Sequence, residues 1–197
     1  MANLRANKIV GIGSTDAGTT FDGPISLNTQ GYMYFPTGDT TNRGRGRALI
    51  AGGSTPSVTT NIDFLNIQSS GRSITFGNLS HGRYDMSGCS NGTRGVFAGG
   101  RDPAGDELDD TIDFVTIATT GNATDFGDLV VDAQQRTATG NTIRGIFMGG
   151  YISPTGRSTI IDQIEIATTG SAASFGDLIT TTSFAGSTSD SHGGLAE

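Results

Sequence analysis

A segment of about fifty residues occurs three times along this chain, and no other feature limits the possible folds as much. Residues 47–79 read RALIAGGSTPSVTTNIDFLNIQSSGRSITFGNL, residues 94–129 read RGVFAGGRDPAGDELDDTIDFVTIATTGNATDFGDL, and residues 144–178 read RGIFMGGYISPTGRSTIIDQIEIATTGSAASFGDL. The opening arginines Arg47, Arg94 and Arg144 are 47 and 50 positions apart, and Phe76, Phe126 and Phe175 are 50 and 49 apart. Length therefore varies mainly in the loop after a glycine pair. Units that repeat at this period bury their apolar faces on one another, as in solenoids, propellers and arrays.

Each copy reads as a four-stranded antiparallel unit. An apolar triplet precedes a diglycine in all three: Leu49-Ile50-Ala51, Val96-Phe97-Ala98 and Ile146-Phe147-Met148. A short run with β-branched and aromatic residues, closed by glycines such as Gly99 and Gly100, is the pattern of a buried strand. The second strand is Ile62–Ile67, Ile112–Ile117 or Ile161–Ile166, with one aliphatic face (Leu65/Ile67, Val115/Ile117, Ile164/Ile166) at period two. A turn at Thr119-Thr120-Gly121 leads to a third strand ending in Phe-Gly-Asp-Leu. Phe76, Phe126 and Phe175 are expected to be packed rings beside a turn. The small-residue segments Tyr84–Ser90, Arg136–Asn141 and Phe184–Ser189 are taken as the fourth strand of their own units, placed on a crowded axis.

Composition agrees with an all-β chain. Only 34% of the 197 residues are hydrophobic and 31 are glycine, and no stretch keeps a helical period over three turns, which favours short strands and many turns. Three units fall short of the four to eight blades of a closed propeller. The expectation is thus a partial or oligomer-completed β-propeller, with a β-trefoil as the alternative.

The single cysteine, Cys89, excludes an internal disulfide, a four-cysteine zinc site and a CxxC redox pair. Neither a secretory leader nor an 18-residue apolar span is present, so synthesis in a cytoplasm without a membrane span is expected. The formal charge is −7, which argues against nucleic-acid binding. Residues 1–47 carry five basic and three acidic groups; −7 less this +2 leaves −9 on the remainder.

That asymmetry divides the chain into an N-terminal arm, residues 1–46, and a repeat domain, residues 47–197. The arm holds the apolar cluster Tyr32-Met33-Tyr34-Phe35 and the basic run containing Arg43 and Arg45. An apolar knot on a terminal arm needs cover, and Tyr32, Tyr34, Phe35, Arg43 and Arg45 are the candidate anchoring residues. At the other end, Ser191–Ala196 aligns with Thr93–Ala98 and reads as the first strand of a fourth unit, a partner for another sheet edge.

The diglycine after an apolar strand, the Asp-containing strand and the aromatic before the last turn resemble the kelch repeat, although phenylalanine stands where kelch units carry tryptophan. The wording RGVFAGG…TIDFVTIATTGNATDFGDL is similar to repeats in structural proteins of tailed bacteriophages that infect marine bacteria, notably cyanobacteria. The opening LRANKIVGIGSTDAGTTFDG also resembles N-terminal segments of such virion proteins. The resemblance implies a virion location, as a capsid decoration or tail-associated component with other virion proteins as partners, and brings no catalytic residues.

No enzyme is expected. Asp190-Ser191-His192 holds the triad residue types, but contiguous residues cannot converge as triad members do. Cys89 reads as packing, and no cofactor is implied. Asp63, Asp113 and Asp162 recur in every unit; they are read as structural acceptors of turn N–H groups or partners of arginines such as Arg47, Arg94 or Arg144, in preference to a ligand ring. Asp102, Asp106, Glu107, Asp109 and Asp110 crowd one loop, and Asp106, Asp109 and Asp110 are a candidate Ca²⁺ set without EF-hand spacing. The loops 54–60, 101–110 and 151–159 supply the alternative function, a host-surface glycan receptor-binding module. Sugar sites favour exposed aromatics, and these loops offer Tyr151 alone.

Overall fold

The computed structural model describes residues 46–54, 56–67, 70–103 and 107–189, and no helix occurs among them. The anchoring candidates Tyr32, Tyr34, Phe35, Arg43 and Arg45, the candidate ligand Asp106 and the expected terminal strand 191–196 lie outside the described residues.

Each repeat contributes to one antiparallel sheet. The first is formed by β1 (Arg47–Ala51), β2 (Asn61–Asn66) and β3 (Ile74–Asn78), in that order. The second begins with β4 (Ser87–Ser90) and β5 (Arg94–Ala98). A small hairpin of β6 (Arg101–Asp102) and β7 (Glu107–Leu108) follows, and β8 (Thr111–Thr116) and β9 (Thr124–Asp128) complete the order β4-β5-β8-β9. The third contains β10 (Thr137–Gly140), β11 (Arg144–Met148), β12 (Tyr151–Ile152), β13 (Gly156–Glu165) and β14 (Ala173–Thr182). Its path is β10-β11-β13, with β12 and β14 both pairing β13. Among the described residues no strand ladder is shared between these sheets, unlike the common barrel of a trefoil.

The small-residue strands do not belong to the repeats that precede them. Ser87–Ser90 pairs with β5, and Thr137–Gly140 pairs with β11, so the second and third sheets each take their first strand from the end of one repeat and the rest from the next. The cause is local. Asn91 Oδ1 accepts from the N–H groups of Thr93 and Arg94 at 2.9 and 2.8 Å, and Asn141 Oδ1 accepts from Ile143 and Arg144 at 2.8 and 2.7 Å. These asparagine turns close a tight hairpin forward, which costs less chain entropy than a long return to the preceding sheet. Residues 184–189 form no strand among the described residues. They run beside β10 through Ser187 Oγ to Ala138 O (2.7 Å) and Ser189 Oγ to Gly140 O (2.8 Å).

The Phe-Gly pair marks a bulge within a strand, not a turn. Ile62 lies opposite Gly77 while Asp63 lies opposite Thr75, so Phe76 is the extra residue; Phe126 and Phe175 occupy the same place opposite the 112/113 and 161/162 pairs. A bulge re-aims the side chain it inserts. Here it turns the ring of Phe76 onto Phe64 (6.0 Å, 81°) and that of Phe126 onto Phe114 (5.8 Å, 81°), edge to face.

The sheets stack through two apolar layers. Ile62, Phe76 and Leu79 of the first repeat pack with Val115 of the second, bordered by Leu49, Phe64 and Phe97. Val96, Ala98, Ile112, Phe126 and Leu129 of the second pack with Phe147, Ile164 and Ile166 of the third. The second sheet therefore has a leading face toward the first and a trailing face toward the third, and the same two faces can be named on the end sheets. The short strands β4 and β10 lie side by side at one edge of the stack, where Ser, Thr, Gly and Ala permit close approach.

Candidate assembly surface

Successive sheets are held by one set of contacts used twice. Across the first joint, Gly121 N donates to Phe76 O (2.9 Å) and Ala123 N to Asn78 O (2.7 Å); across the second, Gly170 N donates to Phe126 O and Ala172 N to Asp128 O, both at 2.7 Å. The turn of one repeat thus adds backbone hydrogen bonds to the outer strand of the sheet before it. This contact is close: a Cβ on Gly77 would lie 2.0 Å from Gly121 O, and one on Gly127 would lie 2.5 Å from Gly170 C. Side chains lock the same joint. Arg47 Nη1 reaches Ile117 O (2.7 Å) and Arg94 Nη1 reaches Ile166 O (3.0 Å), with their guanidinium groups over Phe64 and Phe114 at 4.8 and 4.5 Å.

The loop between sheets is clamped at both ends. Gly99 and Gly100, at φ +63° and +112°, turn the chain so that Gly100 N donates to Ala133 O (2.9 Å); the other two diglycines bind Arg83 O and Thr182 O in the same way. A Cβ on Gly99 would lie 2.5 Å from Ala133 O, so this strand end requires glycine twice over. Two of the three recurrent aspartates take the far side of the loop, while Asp63 accepts from Ser73 Oγ at 3.2 Å. Asp113 Oδ2 accepts from Ser80 N (3.2 Å), Ser80 Oγ (2.8 Å) and Arg83 Nη2 (2.7 Å); Asp162 Oδ2 accepts from Val130 N (3.3 Å) and Arg136 Nη1 (2.5 Å). Asp113, Asp162 and Arg83 are fully buried and Arg136 nearly so.

The structural reading of Asp113 and Asp162 thus matches the geometry, but with different arginines. Arg94 is committed to the backbone of the next repeat, and the partners are Arg83 and Arg136. Repeat alignment hid both, because Arg83 follows Leu79 by four positions and Arg136 follows Leu129 by seven.

The outer faces at the two ends of the stack are more exposed than the same positions inside it. On the first sheet's leading face Ile67 is 67% and Ile50 54% exposed, whereas their counterparts Ile166 and Phe147 on the third sheet are 0% exposed. On the trailing side Phe175 is 50% exposed against 3% for both Phe76 and Phe126. Phe175 was expected in the core with its siblings. The difference is that no following sheet among the described residues covers it.

Other candidates resolve into braces for the 79–86 loop. His81 Nε2 meets Asp109 Oδ2, while His81 Nδ1 lies 3.1 Å from Ser80 Oγ. Ser80 Oγ also donates to Asp113 Oδ2 at 2.8 Å, so these contacts tie the loop to the next repeat. The Asp109 carboxylate of the candidate Ca²⁺ set also accepts from Thr111 N (2.6 Å) and faces Arg83 at 3.5 Å, and so is turned inward. Burial raises its pKa, but the bonds from His81 and Thr111 and the charge of Arg83 outweigh burial, and the net shift is downward. Its contribution to stability is present above the unfolded carboxylate pKa and fades as pH falls through the lower folded value. No group of three or more metal-ligating side chains occurs among the described residues. Burial pushes the Cys89 thiol up to about 12, leaving it protonated near neutral pH, and its Sγ fills the space where a Cβ on Gly145 would approach to 2.6 Å.

Asp110 behaves oppositely to Asp109. Burial first, then Asp132, Asp128 and Asp109, raise its pKa, so the ionised form costs stability at neutral pH and the cost disappears as pH falls below both folded and unfolded values. Asp110→Asn should therefore melt above the native protein at pH 7, and the gap should close in acid. Thermal melts across this range check it; a gap independent of pH would contradict the assignment.

No protein-family model matches this sequence, and no curated protein matches it significantly. No helix among the described residues is long and apolar enough to cross a membrane.

Proposed function

We propose that the chain is a structural component of a tailed-bacteriophage particle, a capsid decoration or tail-associated protein, which works by oligomerising and docking. The observation that carries the assembly part is the pair of open faces: sheets that bury Ile62, Phe76, Ile112, Phe126, Phe147 and Ile166 between themselves leave Ile50, Ile67 and Phe175 in solvent at the ends of the stack. Exposed apolar faces on repeat units are sites of association. The phage assignment rests on the resemblance of the repeat wording and of the opening segment to virion proteins. In this reading residues 1–46, with Tyr32, Tyr34, Phe35, Arg43 and Arg45, anchor the repeat domain to other virion proteins.

A second reading, a host-surface glycan receptor-binding module, is favoured by one feature. Tyr151 is 39% exposed at the start of the third variable loop, where an aromatic face suits a sugar ring.

The deciding experiment is electron microscopy of washed, intact particles labelled with antibodies raised against the full chain. Regular labelling of head or tail is the expected result. A chain present in the infected-cell lysate and absent from washed particles would refute the proposal.

A further inference from the structure

We infer that the first sheet's leading face seats on the third sheet's trailing face in a second copy of this chain, repeating the joint that holds the sheets within one chain. This partner choice rests on the assembly reading above. The argument is continuity: the backbone and arginine contacts of the internal joints each have one half left over at each end. By the repeat spacing, Gly71 and Ser73 stand where Gly121 and Ala123, and then Gly170 and Ala172, donate their N–H groups. Phe175 and Asp177 stand where Phe76 and Asn78, and then Phe126 and Asp128, offer their carbonyls. No atom beyond chain neighbours lies within 4 Å of a Cβ built on Gly176, whereas its counterparts Gly77 and Gly127 are pressed against the following turn. Arg144, exposed on the third sheet, repeats Arg47 and Arg94, and its counterpart carbonyl is that of Ile67.

Charge selects the pairing. At the internal joints the residue between the two donating amides is Asn122 or Ser171, and it accepts from Asn78 N (3.1 Å) or Asp128 N (3.3 Å). The leftover halves put Arg72 at the first position and Asp177 at the second, both exposed and of opposite sign, so that a guanidinium facing a carboxylate takes the place of the side-chain acceptor of the internal joints. Two copies that close both joints bring six sheets together, within the range of closed propellers. A pair of joints that does not close extends into a filament.

Sedimentation velocity of the full chain at micromolar concentration tests this. The native chain should associate, and Arg72→Asp or Asp177→Arg alone should weaken association on the order of tenfold or more by setting like charges face to face. Mixing the two variants, or combining both changes in one chain, should restore it. A native chain that stays monomeric, its end faces covered by its own remaining residues, would overturn the inference, as would association that ignores both single reversals. Either result leaves the particle assignment to be judged by the antibody labelling.

Discussion

Replacing Arg83 with methionine should destabilise the folded chain by ~3–5 kcal/mol, the cost of leaving a buried carboxylate without its partner. Arg83 is fully buried, donates to Asp113 Oδ2 at 2.7 Å, and also donates to Thr111 O at 2.6 Å. Methionine fills much of the same volume, so lost packing contributes little and the stranded charge dominates. A loss of that size approaches the whole stability of a small domain, on the order of 5–15 kcal/mol. The paired variant Arg83→Met with Asp113→Leu keeps the test decisive, since removing both charges should recover most of the loss. Urea melts of both proteins provide the check. A single variant within about 1 kcal/mol of native would mean that Arg83 is solvated, and a paired variant as weak as the single one would mean that packing matters more than charge.

Phe126→Ala should cost ~3–5 kcal/mol, whereas Phe175→Ala in dilute solution should change stability by less than about 1 kcal/mol. The residues share a repeat position and a bulge, yet Phe126 is 3% exposed and Phe175 50%. Phe126 also loses its edge-to-face contact with Phe114 at 5.8 Å. The comparison keeps the repeat position constant while two things change, the covering sheet and the ring partner, which is Phe114 for Phe126 and is replaced by Gln163 beside Phe175. Equal losses for the two variants, followed by denaturant melts, would mean that the third trailing face is covered.

The repeats, their strands and the diglycine were legible because each produces a local signal: period-two apolar patterning, a glycine at positive φ, a fixed order of parts. The assignment of the small-residue strand was not. Its identity depends on whether Ser87–Ser90 pairs backward or forward, and the forward choice was encoded in Asn91 and Asn141, whose side chains close the hairpins. The bulge was similarly hidden, since Phe-Gly reads equally as a turn until the register opposite Ile62 and Asp63 is seen. Buried pairs across sheets, Arg83 with Asp113 and Arg136 with Asp162, connect positions 30 and 26 residues apart at unequal repeat offsets. No periodicity exposes such a pair. Exposure at the ends of the stack likewise depends on neighbours, and so Phe175 is indistinguishable from Phe126 by sequence.

The most direct measurement is the native mass of the full chain at micromolar concentration, by mass spectrometry from a volatile buffer. One chain is 20.2 kDa. Repeat sheets with two complementary open faces should give multiples of that mass that fall back to the single chain on dilution. A single 20.2 kDa species at every concentration would contradict the claim that the sheets of this chain are built to continue into another copy.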